Sequence, residues 1–229
     1  MKFYGFQKMT MLDYPGKVAC IVFTGGCNLR CPFCHNALLV TQVDNVVYDE
    51  EEIIAYLNKR KGLLDGICVS GGEPLLQVGI EDFLKRVKEL GFLVKLDTNG
   101  TFPARLKSLV EKGLVDYVAM DIKNCKEKYA LTTGTESFDI SKIEESVAFL
   151  LSDKVDYEFR TTVVDGLHEA QDIVKIGEWI KGAKKYFLQN FVDSGNLIQS
   201  GLKAVSLDKL KEFAKSVENS VGKISLRGV

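Results

Sequence analysis

The chain has 229 residues, 46% of them hydrophobic, with 30 basic and 31 acidic side chains and a formal net charge of −1. That is enough apolar material for one substantial core, and so even a mixture of charge leaves no electrostatic footprint for nucleic acid or an anionic lipid surface. No apolar stretch approaches the roughly 18 residues of a membrane span, and Met1-Lys2-Phe3-Tyr4-Gly5 opens no secretory leader, so a cytoplasmic protein is expected.

Residues 1–16 read as an irregular arm with a turn at Asp13-Tyr14-Pro15-Gly16. A buried strand follows over about Lys17 to Thr24, and Gly25-Gly26 opens a loop carrying Cys27, Cys31 and Cys34. Asp49 with Glu52 three residues on is a capping box, and Ile53, Ile54 and Leu57 give the helix behind it one apolar face, ended by Gly62. The second strand, Gly66 to Ser70, runs into Gly71-Gly72-Glu73-Pro74, and Ile80, Phe83, Leu84, Val87 and Leu90 recur at helical spacing up to Gly91. The pattern repeats with strands at Leu93 to Asp97, Val115 to Lys123, Val155 to Val164 and Tyr186 to Gln189. Helices separate them over about Ala104 to Lys112, Ile140 to Leu151 and Glu169 to Lys181, and a last helix (Leu207 to Ser220) and a tail with Ile224-Ser225-Leu226 end the chain.

Six strand–helix units imply a parallel sheet with right-handed crossovers, too few for a closed eight-stranded barrel. The expected fold is a single α/β domain spanning 1–229, an open, curved (β/α)6 partial barrel. Its core is expected over 17–190, with the C-terminal helix and tail over 191–229; an open doubly wound sheet is the competing arrangement.

In either fold the site lies where the strands end and the βα loops gather. Five of the six strand ends carry polar or metal-binding groups: the three cysteines, Gly71-Gly72-Glu73-Pro74, Asp97-Thr98-Asn99-Gly100, Asp121-Ile122-Lys123 and Gln189-Asn190. Singly these are turns, caps or solvated carboxylates; in this register a shared pocket is the better reading. Three thiolates on one short loop hold three corners of a cubane iron–sulfur cluster and leave the fourth iron open. A zinc knuckle with His35 is the lesser reading, because adjacent Cys34 and His35 are awkward ligands for one tetrahedral ion and no second ligand pair follows. Cys20, Cys68 and Cys125 are read as small buried residues, His168 as a surface histidine, and Arg160 as a residue of the wet face or, on the inner face, a grip for a carboxylate or ribose.

With CxxxCxxC on the first loop and Gly-Gly-Glu-Pro on the second, the sequence resembles the radical S-adenosylmethionine enzymes. Met9-Thr10-Met11-Leu12-Asp13-Tyr14-Pro15-Gly16-Lys17, the stretch Phe23 to Asn36, Asp97-Thr98-Asn99-Gly100 and Asp121-Ile122-Lys123 are similar to the glycyl-radical-enzyme activases, most of all those of anaerobic ribonucleoside-triphosphate reductases. The resemblance implies a [4Fe–4S] cluster on Cys27, Cys31 and Cys34, with S-adenosylmethionine on the open iron, and hence anaerobic function. It further implies that Gly71 and Gly72 let the backbone approach the methionyl ammonium, that Glu73 supports their loop, and that Phe33 packs near the adenine. Asp97, Thr98 and Asp121 match a region resembling a monovalent-cation site; Lys123 would neutralise the cofactor carboxylate and Arg160 touch the cofactor. A structural ion pair between Asp97 and Lys123 is the alternative. The implied partners are a glycyl radical enzyme and, as electron donor, a reduced flavodoxin or ferredoxin. About thirty residues between Cys34 and the second strand leave no room for a ferredoxin-like insert, so one cluster is expected. Activation of pyruvate formate-lyase or another glycyl radical enzyme, radical chemistry on a peptide or small molecule, and a non-enzymatic cluster carrier are the competing readings.

Overall fold

The computed structural model describes residues 1–41 and 48–228. Its strands are β1 (Lys2–Phe3), β2 (Gly5–Thr10), β3 (Ala19–Thr24), β4 (Tyr48–Asp49), β5 (Gly66–Gly71), β6 (Leu93–Thr98), β7 (Tyr117–Asp121), β8 (Asp156–Val163), β9 (Tyr186–Asn190) and β10 (Ile224–Arg227). Its helices are α1 (Ala37–Thr41), α2 (Glu50–Lys59), α3 (Ile80–Glu89), α4 (Pro103–Glu111), α5 (Tyr129–Thr133), α6 (Ile140–Leu151), α7 (Ala170–Trp179) and α8 (Leu207–Val217).

Eight strands form one sheet in the order β10-β9-β8-β7-β6-β5-β3-β2, parallel throughout except for β2, which runs antiparallel to β3. The parallel strands follow one another in chain order, so there is no switch point at which crossovers change faces. A uniform right-handed crossover then keeps the helices on one side and curls the sheet. This is the open partial barrel, and the doubly wound arrangement is excluded.

The helices bind through the faces their periodicity marks. Ile80, Phe83, Leu84 and Val87 of α3 are all buried, with the Phe83 ring 4.9 Å from that of Phe3. Burying one such ring contributes about 2–3 kcal/mol. The capping box of α2 is present: Asp49 Oδ1 accepts from the Glu52 amide and Glu52 Oε2 from the Asp49 amide, both at 2.9 Å.

Two expectations are corrected. Residues 1–16 are not an irregular arm, since β1 pairs with β4 and β2 is an edge strand of the main sheet. An edge strand buries little, and the mixed pattern of β2 reflects that. The C-terminal tail is likewise a strand, so the sheet runs beyond 17–190. Register explains why: β10 beside β9 sets the Arg227 guanidinium 3.6 Å above the Phe187 ring and 2.9 Å from Glu158 Oε1. Tyr117 donates to the other oxygen of Glu158 at 2.9 Å. Tyr14, just after β2, is buried against Tyr117, Ala19, Ile21 and Cys68. These groups fill the sheet's concave face below the site.

Candidate active site

The loop after β3 is held by its neighbours rather than by its own turns. The Gly72 amide donates to Thr24 O (2.9 Å) and the Glu73 amide to Gly26 O (2.8 Å), so the loop after β5 is laced to the start of the cysteine loop. A Cβ on Gly72 would lie 1.9 Å from Gly26 O, and one on Gly71, whose φ is +116°, 2.3 Å from Thr24 O. The glycines therefore serve the close approach of two backbones. This contact exists before any ligand binds, and both glycines also line the pocket, where their expected approach to a cofactor ammonium would take place.

From here Cys27, Cys31 and Cys34 line one pocket of about 240 Å³ together with Phe33, Gly71, Gly72, Asp97, Thr98, Asp121, Lys123 and Arg160. All but one of the site residues expected from sequence thus converge. The exception is Glu73, fully buried beneath the pocket. Its Oε1 accepts from the Leu75 amide (3.0 Å) and Thr98 Oγ1 (2.9 Å), and its Oε2 from the Asn99 amide (2.7 Å), which ties the second loop to the third. Burial pushes its carboxyl up to about 7 against the pull of those donors.

The pocket's charges form a chain along the strand ends. Lys95 Nζ meets Asp97 Oδ1 at 2.5 Å, and the Arg160 guanidinium lies 3.4 Å from Asp97 Oδ2 and 2.8 Å from Asp121 Oδ1. Lys123 Nζ completes it at 2.8 Å from Asp121 Oδ2. Burial opposes ionisation of both carboxyls, yet Arg160 with Lys95 holds Asp97 below its ordinary range and Arg160 with Lys123 does the same for Asp121. Burial also works against the Lys123 ammonium, which Asp121 and the Cys31 sulfur nonetheless hold above its usual value. The alternative Asp97–Lys123 pair is not formed: each carboxylate has its own lysine, two residues away on the same strand face or the turn that follows it.

His168 is also corrected. It is fully buried. Its Nδ1 accepts from the Val164 amide at 3.1 Å, so Nε2 carries the proton and donates to Lys123 O at 2.8 Å, with the ring edge-on to Phe33. Phe33 is buried beside Leu29, Cys31, Val164 and Phe191. Cys20, Cys68 and Cys125 are buried free thiols, as their sequence context suggests.

Some residues at the site make contacts that the motifs alone did not assign. Asn99 Nδ2 lies 3.7 Å from Cys27 Sγ, Asn36 Nδ2 donates to Gly71 O at 2.9 Å, and His35 stacks on Phe191. Lys95 is the most consequential, and its signal was available: residues two apart on a strand share a face, so Lys95 accompanies Asp97.

The donor set fits an iron–sulfur cluster. Three free thiols from one loop face one pocket, burial pushes the Cys31 thiol up to about 11, and Lys123 opposes that rise, placing positive charge where three thiolates would gather. Among the described residues no three His, Cys, Asp or Glu side chains are grouped to hold a single metal ion, as a zinc knuckle needs.

Residues 21–180 match the family described as the radical SAM superfamily. A Methanocaldococcus jannaschii protein named as a glycyl-radical enzyme activating enzyme is 29% identical over 98% of this chain and 95% of its own length. The pyruvate formate-lyase-activating enzyme of Staphylococcus epidermidis is 30% identical over 77% of this chain and 74% of its own. Among solved structures, Streptococcus suis SuiB bound to S-adenosylmethionine superposes with a TM-score of 0.69 over 91% of this chain at 13% identity, a likeness of fold; the chain spans about half (52%) of that protein.

Proposed function

The chain belongs to the radical SAM superfamily, among the relatives of the glycyl-radical-enzyme activases, and from that premise we propose that it installs a glycyl radical on a partner enzyme. The observation that carries the reading is the convergence of Cys27, Cys31 and Cys34 with the Gly71-Gly72 loop and the Asp97–Arg160–Asp121–Lys123 chain in one pocket at the strand ends.

Cys27, Cys31 and Cys34 would hold a [4Fe–4S] cluster. When bound, the cluster supplies the electron that splits the sulfonium of S-adenosylmethionine into methionine and a 5′-deoxyadenosyl radical, which takes a hydrogen from a glycine Cα. The protein's own part is positioning. Gly71 and Gly72 keep the second loop against the cysteine loop, Glu73 fixes the third loop beneath it, and Lys123 offers positive charge toward a carboxylate and toward the thiolates. Arg160 locks Asp97 and Asp121 in place, and His168 holds the Lys123 carbonyl while Phe33 packs over it as an apolar wall for an adenine.

For the partner, the motifs favour an anaerobic ribonucleoside-triphosphate reductase. Pyruvate formate-lyase is the second reading, favoured by the named relatives. A reduced flavodoxin or ferredoxin would supply the electron. Among the described residues no helix is long and apolar enough to cross a membrane. The test is electron paramagnetic resonance on each candidate partner after anaerobic incubation with reconstituted protein, reductant and S-adenosylmethionine. A glycyl-radical doublet on the reductase alone supports the first reading, a doublet on the lyase alone supports the second, and cofactor cleavage without a doublet on either removes both.

A further inference from the structure

The resemblance placed a monovalent cation on Asp97, Thr98 and Asp121, and the residues present do not fit one. Each of the four carboxylate oxygens already accepts a hydrogen bond. On Asp97, Oδ1 takes Lys95 Nζ, and Oδ2 takes Ser70 Oγ at 3.0 Å and the Arg160 guanidinium. On Asp121, Oδ1 takes Arg160 Nε and Oδ2 takes Lys123 Nζ. The Thr98 hydroxyl is turned away, donating to Glu73 Oε1 and accepting from the Gly100 amide at 3.1 Å.

Charge points the same way. Three cationic side chains face two carboxylates, so the cluster already carries one excess positive charge, and another cation would enter against it and have to share every carboxylate oxygen with an ammonium, guanidinium or hydroxyl donor. Lys95 is the residue that makes this so. It is 2% exposed, inside the barrel, and the β period aims it at Asp97 two residues on. A buried ammonium is costly unless paired, and Asp97 pairs it. Unlike a captured ion, a tethered ammonium loses no translational freedom when the site forms.

We infer that Lys95 is a built-in counter-ion for the cofactor pocket, occupying with its ammonium the place of a monovalent cation, so that S-adenosylmethionine binding by this chain is independent of potassium and sodium. Lys95 is a positioning residue, acting through Asp97, and the inference rests on reading the pocket as an S-adenosylmethionine site.

The experiment is isothermal titration of the anaerobically reconstituted full-length protein with S-adenosylmethionine in potassium, sodium or choline chloride at one ionic strength. Wild-type Kd should agree within about twofold in all three salts. Lys95→Met should bind about tenfold more weakly in choline chloride and recover in potassium or sodium, which a merely structural ion pair would not do. A wild-type Kd that tightens about tenfold with potassium overturns the inference without needing the variant. So does a Lys95→Met protein that retains its melting temperature and cluster but binds equally in every salt. No binding by wild type in any salt would overturn the cofactor reading itself, and the inference with it, an outcome distinct from salt-dependent binding.

Discussion

Gly72 and Gly26 stand so close that a methyl group on Gly72 would sit 1.9 Å from the Gly26 carbonyl oxygen. Backbone cannot rotate away as a side chain can, so Gly72→Ala must part the loops after β3 and β5. Overpacking of this kind costs about 2–3 kcal/mol, roughly 5–10 °C in melting temperature for a chain of this size. Thermal denaturation and iron content after reconstitution should both fall, because the displaced loop carries Cys27.

Glu73 makes stability decline with rising pH. Its folded carboxyl is raised from 4.5 to about 7, so its contribution is fully present below pH 4.5 and is lost as pH rises through about 7. At 1.36 kcal/mol per unit the loss is about 3 kcal/mol. Urea unfolding across that range should show the wild type losing about this much relative to Glu73→Gln, which does not titrate.

His168 has the opposite sign. Burial lowers its folded pKa below 6.5, and the Val164 amide pointing at Nδ1 reinforces the neutral ring. Its contribution is present above pH 6.5 and is lost as pH falls from there through the folded pKa. The same urea series should show an acid-side decline that disappears in His168→Phe, a variant less stable overall but flatter with pH.

Arg160 is half-buried between two half-buried carboxylates. Removing one member of a fully buried pair costs about 3–5 kcal/mol, and the partial exposure here brings the expected cost down to about 2–3 kcal/mol. Arg160→Met should therefore be strongly destabilised, and adding Asp121→Asn should restore part of the loss. A double-mutant cycle by chemical denaturation checks this, and strictly additive single effects would contradict it.

What could be read in the chain and what could not divide by range. Cys27, Cys31, Cys34, the Gly71-Gly72 pair and the Asp49–Glu52 cap are local patterns, and their chemistry follows from spacing. Lys95 was overlooked although local, because a lysine within a strand is ordinarily assigned to the wet face. His168, Tyr14 and Arg227 were illegible for a physical reason: His168 and Tyr14 are buried, and half-buried Arg227 is paired, by partners 40 or more residues distant that the fold brings to them. For β2 and β10 the hydrophobic signal is weak because edge strands bury little. The backbone contact at Gly71 and Gly72 was illegible as well, since only coordinates show which backbone a Cβ would strike.

The central claim, that three cysteines in this pocket serve radical cleavage of S-adenosylmethionine, is tested most directly by quantifying 5′-deoxyadenosine from the anaerobically reconstituted, reduced protein. The account predicts 5′-deoxyadenosine from the wild type and none above background from Cys31→Ala. Absence of product from a wild-type protein with a full, reducible cluster, or equal product from both, would contradict it.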